Sequence, residues 1–227
     1  AYHALVPKIE ALNKDRLSKG LRAVENPFSH VSRYADPAYN FEIIKSWANS
    51  GQVSSVKNLS HNTSHIKHNT KLKIGYISAD FRNHPVAHLM LELFGVHNRH
   101  EFEIFCYSYS EDNGGHYRKH IEQSCDKFVD ILRMSYVEAA QRIYNDGVDI
   151  LVDLMGHTTN CRLEICALRP AKIQCTWLGY PGTTGADFFD YIITDKIVSP
   201  PQHAPYYSEK FIYMPDCYMI NNRVQPI

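Results

Sequence analysis

Three short stretches of this sequence gather side chains that can hold, orient or accept a proton. The first is Asp80-Phe81-Arg82-Asn83-His84-Pro85-Val86-Ala87-His88. Asp80 can accept a hydrogen bond or a proton, and His84 titrates near neutrality. His88 follows His84 by one helical turn, so the two imidazoles can share a face. A structural use of the same residues stands beside this, with Asp80 capping a helix and the histidines bonded to backbone. No Glu occupies the HExxH position, which speaks against a zinc site, and no metal is expected. The second stretch is Asp153-Leu154-Met155-Gly156-His157-Thr158-Thr159-Asn160. Asp153 ends an apolar run, where an unpaired carboxylate is costly. It must therefore either take neighbouring backbone N–H groups or face a ligand cleft. His157 and Thr158 offer polar contacts beside it. The third is Gly179-Tyr180-Pro181-Gly182-Thr183-Thr184-Gly185, a tight turn whose backbone can approach a sugar or phosphate. It is neither a GxGxxG fingerprint nor a P-loop, and no GxSxG elbow is present, so a classical dinucleotide site is not expected.

These stretches need elements that bring them together. From Lys73 onward, short apolar runs alternate with helical patterns. The spacing predicts strands at 74–78, 102–108, 127–131, 148–154, 172–178 and 191–194. Helices are expected at 85–95, 116–123, 135–145 and 162–167. Continuous apolar strands separated by helices predict a parallel sheet covered on both faces, a doubly wound Rossmann-like α/β domain. In such sheets the loops at the carboxyl ends of the strands gather along one edge. All three stretches follow a strand and are expected there.

Upstream, residues 3–49 read as helical. Leu5, Ile9, Leu12, Leu17 and Leu21 recur near helical spacing, and Asn26-Pro27 breaks the pattern. Asp36-Pro37 starts a helix expected to bury Phe41, Ile44 and Trp47 or Ala48. Residues 51–71, rich in Ser, Asn, His and Lys, read as a polar linker or mobile loop. Two glycosylation sequons in it, at Asn58 and Asn62, carry little weight without a secretory signal. The expected organisation is a helical segment at 1–50, a linker at 51–71 and the α/β domain at 72–227.

Composition narrows the function classes. The chain has 227 residues, 44% hydrophobic and 21% charged, with 24 Lys plus Arg balancing 24 Asp plus Glu. Such a neutral balance argues against a nucleic-acid or membrane surface. No run reaches the roughly 20 apolar residues of a membrane span. The six cysteines form no CxxC pair and fit reduced thiols in a cytoplasmic protein. The start at Ala1 and the end at Ile227 suggest a piece of a longer protein.

The motifs, taken in order, resemble the O-GlcNAc transferase family. The residues that carry the likeness are Ile74-Gly75-Tyr76-Ile77-Ser78-Ala79-Asp80-Phe81, Asn83-His84-Pro85 and His88. Downstream they are Ala167-Leu168-Arg169-Pro170-Ala171, Trp177 through Gly185, Asp190 through Asp195, and Tyr207-Ser208-Glu209-Lys210. The resemblance runs from about residue 27 to the C-terminus. It implies the first of two facing Rossmann-like lobes, the GT-B arrangement. The activity implied is inverting transfer of N-acetylglucosamine from UDP-GlcNAc to Ser/Thr hydroxyls of protein acceptors, with no metal or other cofactor. It places His84 and His30 at the cleft, Asp80 as a candidate base, and the backbone of Leu178 and Gly179 beside the sugar. Val86 stands where animal members carry Thr, and His157-Thr158 looks like plant and bacterial members. Most nucleotide contacts are implied on a second lobe beyond this chain, and a tetratricopeptide array can precede it in the family. A same-family transferase of another sugar, such as fucose, and a non-catalytic peptide-binding lobe are the other readings.

Overall fold

A computed structural model describes residues 2–48, 59, 71–112 and 114–221. Most of the expected linker at 51–71, with both sequons' asparagines, lies outside the described residues. Leu59 does not: its N–H donates to Leu168 O at 3.0 Å, and its side chain packs against the core.

Seven strands form one sheet: β1 Leu72–Ser78, β2 Phe102–Ser108, β3 Lys127–Asp130, β4 Ile150–Asp153, β5 Ile173–Thr176, β6 Tyr191–Thr194 and β7 Lys210–Tyr213. Their order is β3-β2-β1-β4-β5-β6-β7, and every pairing is parallel. This is the doubly wound arrangement the apolar runs imply. The chain winds outward from β1 to β3, then returns beside β1 with β4. That reversal opens a crevice above the carboxyl ends of β1 and β4.

Alternate strand residues face opposite sides. Ile77, Phe105, Tyr107 and Leu151 point to a core under α7 (Tyr136–Asp146) and α8 (Leu163–Ala167). Tyr76, Ile104, Cys106 and Val152 point to the other core, under α4 (Pro85–Met90), α5 (Leu93–Val96) and α6 (His116–Ser124). The termini of α7 follow from its sequence. Ser135 and Glu138 form a capping box, and Gly147 ends the helix at φ 72°.

Several expectations change. The single helix at 85–95 is two, with a step at Leu91–Glu92 that leaves Met90, Leu91 and Phe94 all in the core. β7 has no counterpart in the expected strands. It is a four-residue edge strand, alternately exposed and half-buried, and its apolar run Phe211-Ile212-Tyr213 is shorter than the seven-residue span of β1 or β2.

The segment before the sheet is helical: α1 Tyr2–Ser18, α2 Pro27–Val31 and α3 Pro37–Ala48. The leucine stripe of α1 does not hold it down, since Leu5 and Leu12 are exposed. A polar clasp does so instead. Asn13 is fully buried, and its Oδ1 accepts the N–H groups of Val24 at 2.9 Å and Glu25 at 3.3 Å. In α3, Ile43 and Ile44 are buried, whereas Phe41 and Trp47 are half-buried. The Trp47 indole donates to Glu25 O at 2.9 Å. α3 packs on a 3-10 helix, Pro201–Tyr206, which anchors the segment to the sheet domain.

Candidate active site

Asp80 leaves β1 with its N–H bonded to the buried Ser78 hydroxyl at 2.9 Å. Its carboxylate faces side chains: Arg82 Nη2 lies 3.3 Å from Oδ1, and His84 Nδ1 lies 3.4 Å from Oδ2. Burial pushes the Asp80 carboxyl up, and the neighbouring charges of His84 and Arg82 pull it back. Burial lowers His84, while Asp80 opposes and Arg82 and His88 reinforce. His84 is also the N-cap of α4. Its φ of −156° is extended, Pro85 takes the first helical position, and Nδ1 accepts the Val86 N–H at 3.3 Å.

The second loop is built differently. Asp153 is 2% exposed, and its Oδ2 accepts the Gly156 N–H at 2.6 Å. Burial pushes its carboxyl up to about 7, against the pull of the Gly156 and Met155 N–H groups. Of the two uses open to Asp153, backbone capture is the one realised, and it is absent from the cleft wall. Gly156 adopts φ +54°, and a Cβ there would lie 2.5 Å from the Tyr180 Cβ. The turn aims His157 outward. His157 Nε2 lies 2.6 Å from Thr184 O, and its ring meets Tyr180 edge-on at 5.5 Å.

The third loop presses against the second. Leu178 holds φ +68°, unusual for a side-chain-bearing residue. A Cβ on Gly179 would lie 2.0 Å from Leu154 O, so only glycine fits. Behind the turn, buried Glu209 accepts the Thr183 hydroxyl at 2.6 Å, the Thr184 N–H at 2.7 Å and the Thr184 hydroxyl.

These pieces enclose a cleft of about 600 Å³ at the topological reversal. Asp80, His84, His157, Thr158 and Gly179 line it together. Val86, Arg82, Thr159, Asn160 and Cys161 complete the sheet side, and Asn26, Pro27, Phe28, Ser29 and Trp47 supply a wall from the helical segment. The sequence reading missed that wall as a surface. Its signals were the place at the cleft that the resemblance gave His30 and the Asn26-Pro27 break, where the Asn26 side chain caps α2 through the Ser29 N–H at 2.8 Å. Glu209 was likewise legible only as a motif residue.

Other expected site residues lie elsewhere. His30 is 1% exposed and bonds Asn40 Oδ1 through Nδ1 at 2.7 Å. It packs between Tyr34 and Tyr39, with ring centroids 4.7 and 4.8 Å away. Its neighbours Phe28 and Ser29 reach the cleft; its imidazole turns inward. His88 bonds Asn83 Oδ1 at 2.7 Å and stacks on Tyr117 at 4.2 Å, outside the cleft wall. Leu178 and Tyr180 are buried under the turn, so neither side chain lines the cleft. Pro181, Gly182 and Thr183 line a separate cavity of about 240 Å³ against α2, α3 and the 3-10 helix.

Fold and cleft together define a Rossmann-like lobe of the kind that binds a ligand at a topological switch point. The chain belongs to glycosyl transferase family 41, whose family model matches residues 12–226. It is 45% identical over 155 residues to the Arabidopsis thaliana "Probable UDP-N-acetylglucosamine--peptide N-acetylglucosaminyltransferase SEC", covering 68% of this chain and 16% of that protein. It is 38% identical over 200 residues to the Caenorhabditis elegans UDP-N-acetylglucosamine--peptide N-acetylglucosaminyltransferase, covering 88% of this chain and 17% of that protein. A solved structure of an O-GlcNAc transferase mutant from Thermobaculum terrenum superposes with a TM-score of 0.74 at 27% identity, covering 85% of this chain and 37% of that one. The chain thus spans about a sixth of the length of these curated relatives. Among the described residues, no helix is long and apolar enough to cross a membrane.

Proposed function

We propose that this chain is the N-terminal half of the catalytic region of an inverting protein O-GlcNAc transferase. It moves N-acetylglucosamine from UDP-GlcNAc to Ser/Thr hydroxyls of protein acceptors. The carrying observation is the convergence of His84, His157 and Gly179 on one cleft at the switch point of a family 41 lobe. Inverting transfer needs an acceptor hydroxyl held in line with the anomeric carbon and a sink for its proton. The Asp80–His84 pair fits that need: with Nδ1 taking the Val86 N–H, His84 can orient a hydroxyl through its Nε2–H, and the Asp80 carboxylate, made more basic by burial, can take the proton. The bare backbone at Gly179 lets a sugar ring approach closely. On this reading the departing diphosphate is stabilised by cationic and helix-terminal groups of a second lobe, with no metal invoked. Residues 1–227 alone are then inactive and bind UDP weakly. The six free cysteines suit a cytoplasmic setting.

A second reading keeps the reaction and changes the sugar. Val86 puts an apolar side chain into the cleft, where a hydroxyl would favour one particular sugar pattern. One experiment separates the two. Full-length protein is offered UDP-GlcNAc or GDP-fucose with a Ser/Thr acceptor library, and glycopeptides are read by mass spectrometry. GlcNAc transfer supports the first reading, fucose transfer the second, and no transfer from either donor overturns both.

A further inference from the structure

The two cleft histidines present opposite hydrogen-bonding faces. A carbonyl oxygen can only accept, so the 2.6 Å contact between His157 Nε2 and Thr184 O fixes the His157 proton on Nε2. The ring is then left with a bare lone pair on Nδ1. That atom makes no hydrogen bond among the described residues, and it is not among the buried unpartnered atoms, although His157 lines the cleft. His84 has the same tautomer with the other nitrogen engaged. Its Nδ1 accepts the Val86 N–H, which leaves its proton on Nε2 whenever α4 is capped.

We infer that His157 Nδ1 is the cleft's hydrogen-bond acceptor for a ligand hydroxyl, and that it helps select which hydroxyl-bearing ligand is bound. The inference rests on the transferase reading above and deepens it. The hydroxyl belongs either to the transferred sugar or to the Ser/Thr acceptor; the chemistry is the same in both cases. The support behind the ring is rigid. Thr184 is clamped by buried Glu209 through both its N–H and its hydroxyl, so the carbonyl that sets the tautomer cannot drift. Tyr180 meets the ring edge-on and fixes its plane. Burial also lowers His157, which keeps the ring neutral and the lone pair free.

Two substitutions split the ring's two functions. In His157→Asn, the amide oxygen takes the place of Nδ1 and the reach to Thr184 is lost. In His157→Gln, the amide nitrogen can still donate to Thr184 O and no acceptor stands at the Nδ1 position. Both are made in the full-length protein. The affinity for UDP-GlcNAc without acceptor is measured by calorimetry, and the acceptor-peptide KM by steady-state transfer. The expected result is a loss of about tenfold for the Gln variant and within about threefold for the Asn variant, the scale of one hydrogen bond. A loss in donor affinity identifies the sugar as the hydroxyl's source, and a loss confined to peptide KM identifies the acceptor. The reverse order, with Gln as the milder change, overturns the inference and leaves His157 as a structural ring. A second measurement is independent of activity. Nitrogen NMR of histidine-labelled protein is expected to show His157 Nδ1 unprotonated and shifting on addition of UDP-GlcNAc or peptide; a protonated Nδ1 overturns the inference. Wild-type protein that transfers no sugar overturns the transferase reading, and this inference with it. Intact wild-type transfer with the reversed variant order overturns this inference alone.

Discussion

After β1 the chain runs from Asp80 to His84, and from the end of β4 it runs over the same interval from Asp153 to His157. Both imidazoles reach one cleft. The carboxylates behind them are used in unlike ways. Asp80 meets a guanidinium and an imidazole, each able to change what the carboxylate feels. Asp153 is buried with its oxygen taken by the Gly156 N–H, and it meets no charged side chain among the described residues. Identical spacing therefore yields a side-chain contact at the cleft in one loop and a backbone-bound scaffold in the other. The deciding factor is whether side chains or backbone N–H groups reach the carboxylate first.

The sharpest way to break this comparison is at the seam between the scaffold loop and the glycine turn. Gly179→Ala sets a methyl 2.0 Å from Leu154 O, so the turn must move. The expected cost exceeds about 4 kcal/mol. Loss of folded protein, or a large fall in melting temperature, checks it; a variant as stable as wild type would show the seam to be loose.

The Asp80–His84 loop should respond in activity instead. His84→Ala in the full-length enzyme is expected to lower kcat/KM by about 100-fold or more, with a stability loss of only about 1 kcal/mol from the missing helix cap. Transfer kinetics and urea unfolding on one preparation check both halves. An unchanged kcat/KM would favour a docking role for the lobe.

The scaffold carboxylate carries a pH signature. The folded value of Asp153, about 7, lies above that of an ordinary carboxylate, so the folded chain holds this proton more tightly than the unfolded chain. The stabilisation it lends is complete below about pH 4 and is lost as pH rises through about 7. Across that window its contribution falls by up to about 1.4 kcal/mol per pH unit. Asp153→Asn is expected to remove this part of the pH dependence while keeping an acceptor for Gly156 N–H. Chemical unfolding of both proteins at pH 5 and pH 7 checks it, and equal slopes would refute the assignment.

The smallest functional effect belongs to His30. Its imidazole is sealed between Tyr34 and Tyr39, so His30→Gln should change kcat/KM less than threefold while lowering the melting temperature by a few degrees. A loss of activity comparable to that of His84→Ala would return His30 to the cleft.

The sheet was legible because a strand covered on both faces is apolar over most of its length, as β1, β2 and β4 are, with Lys73 and Glu103 falling at the less buried starts of β1 and β2. β7 escaped because it is a short edge strand of four residues, none fully buried, whose Phe211-Ile212-Tyr213 run is too brief to stand out. In the site, the positions directly after strands were legible, since topology alone brings them to one edge. Side-chain direction was not. Nothing in Pro27-Phe28-Ser29-His30 tells which member faces the ligand; the turn capped by Asn26 presents Phe28 and Ser29 and tucks His30 away. Asp153 was open between two uses because both satisfy the same electrostatic demand.

One wall of the cleft, Asn26 to Ser29 with Trp47, belongs to helices that precede the sheet and join it through residues 49–71. The pocket is thus a joint between two parts of the chain. Any ligand spanning it acts as a rivet: occupancy and seating of the helices are thermodynamically linked, each strengthening the other. Occupied protein will therefore release its N-terminal helices to a protease more slowly than empty protein.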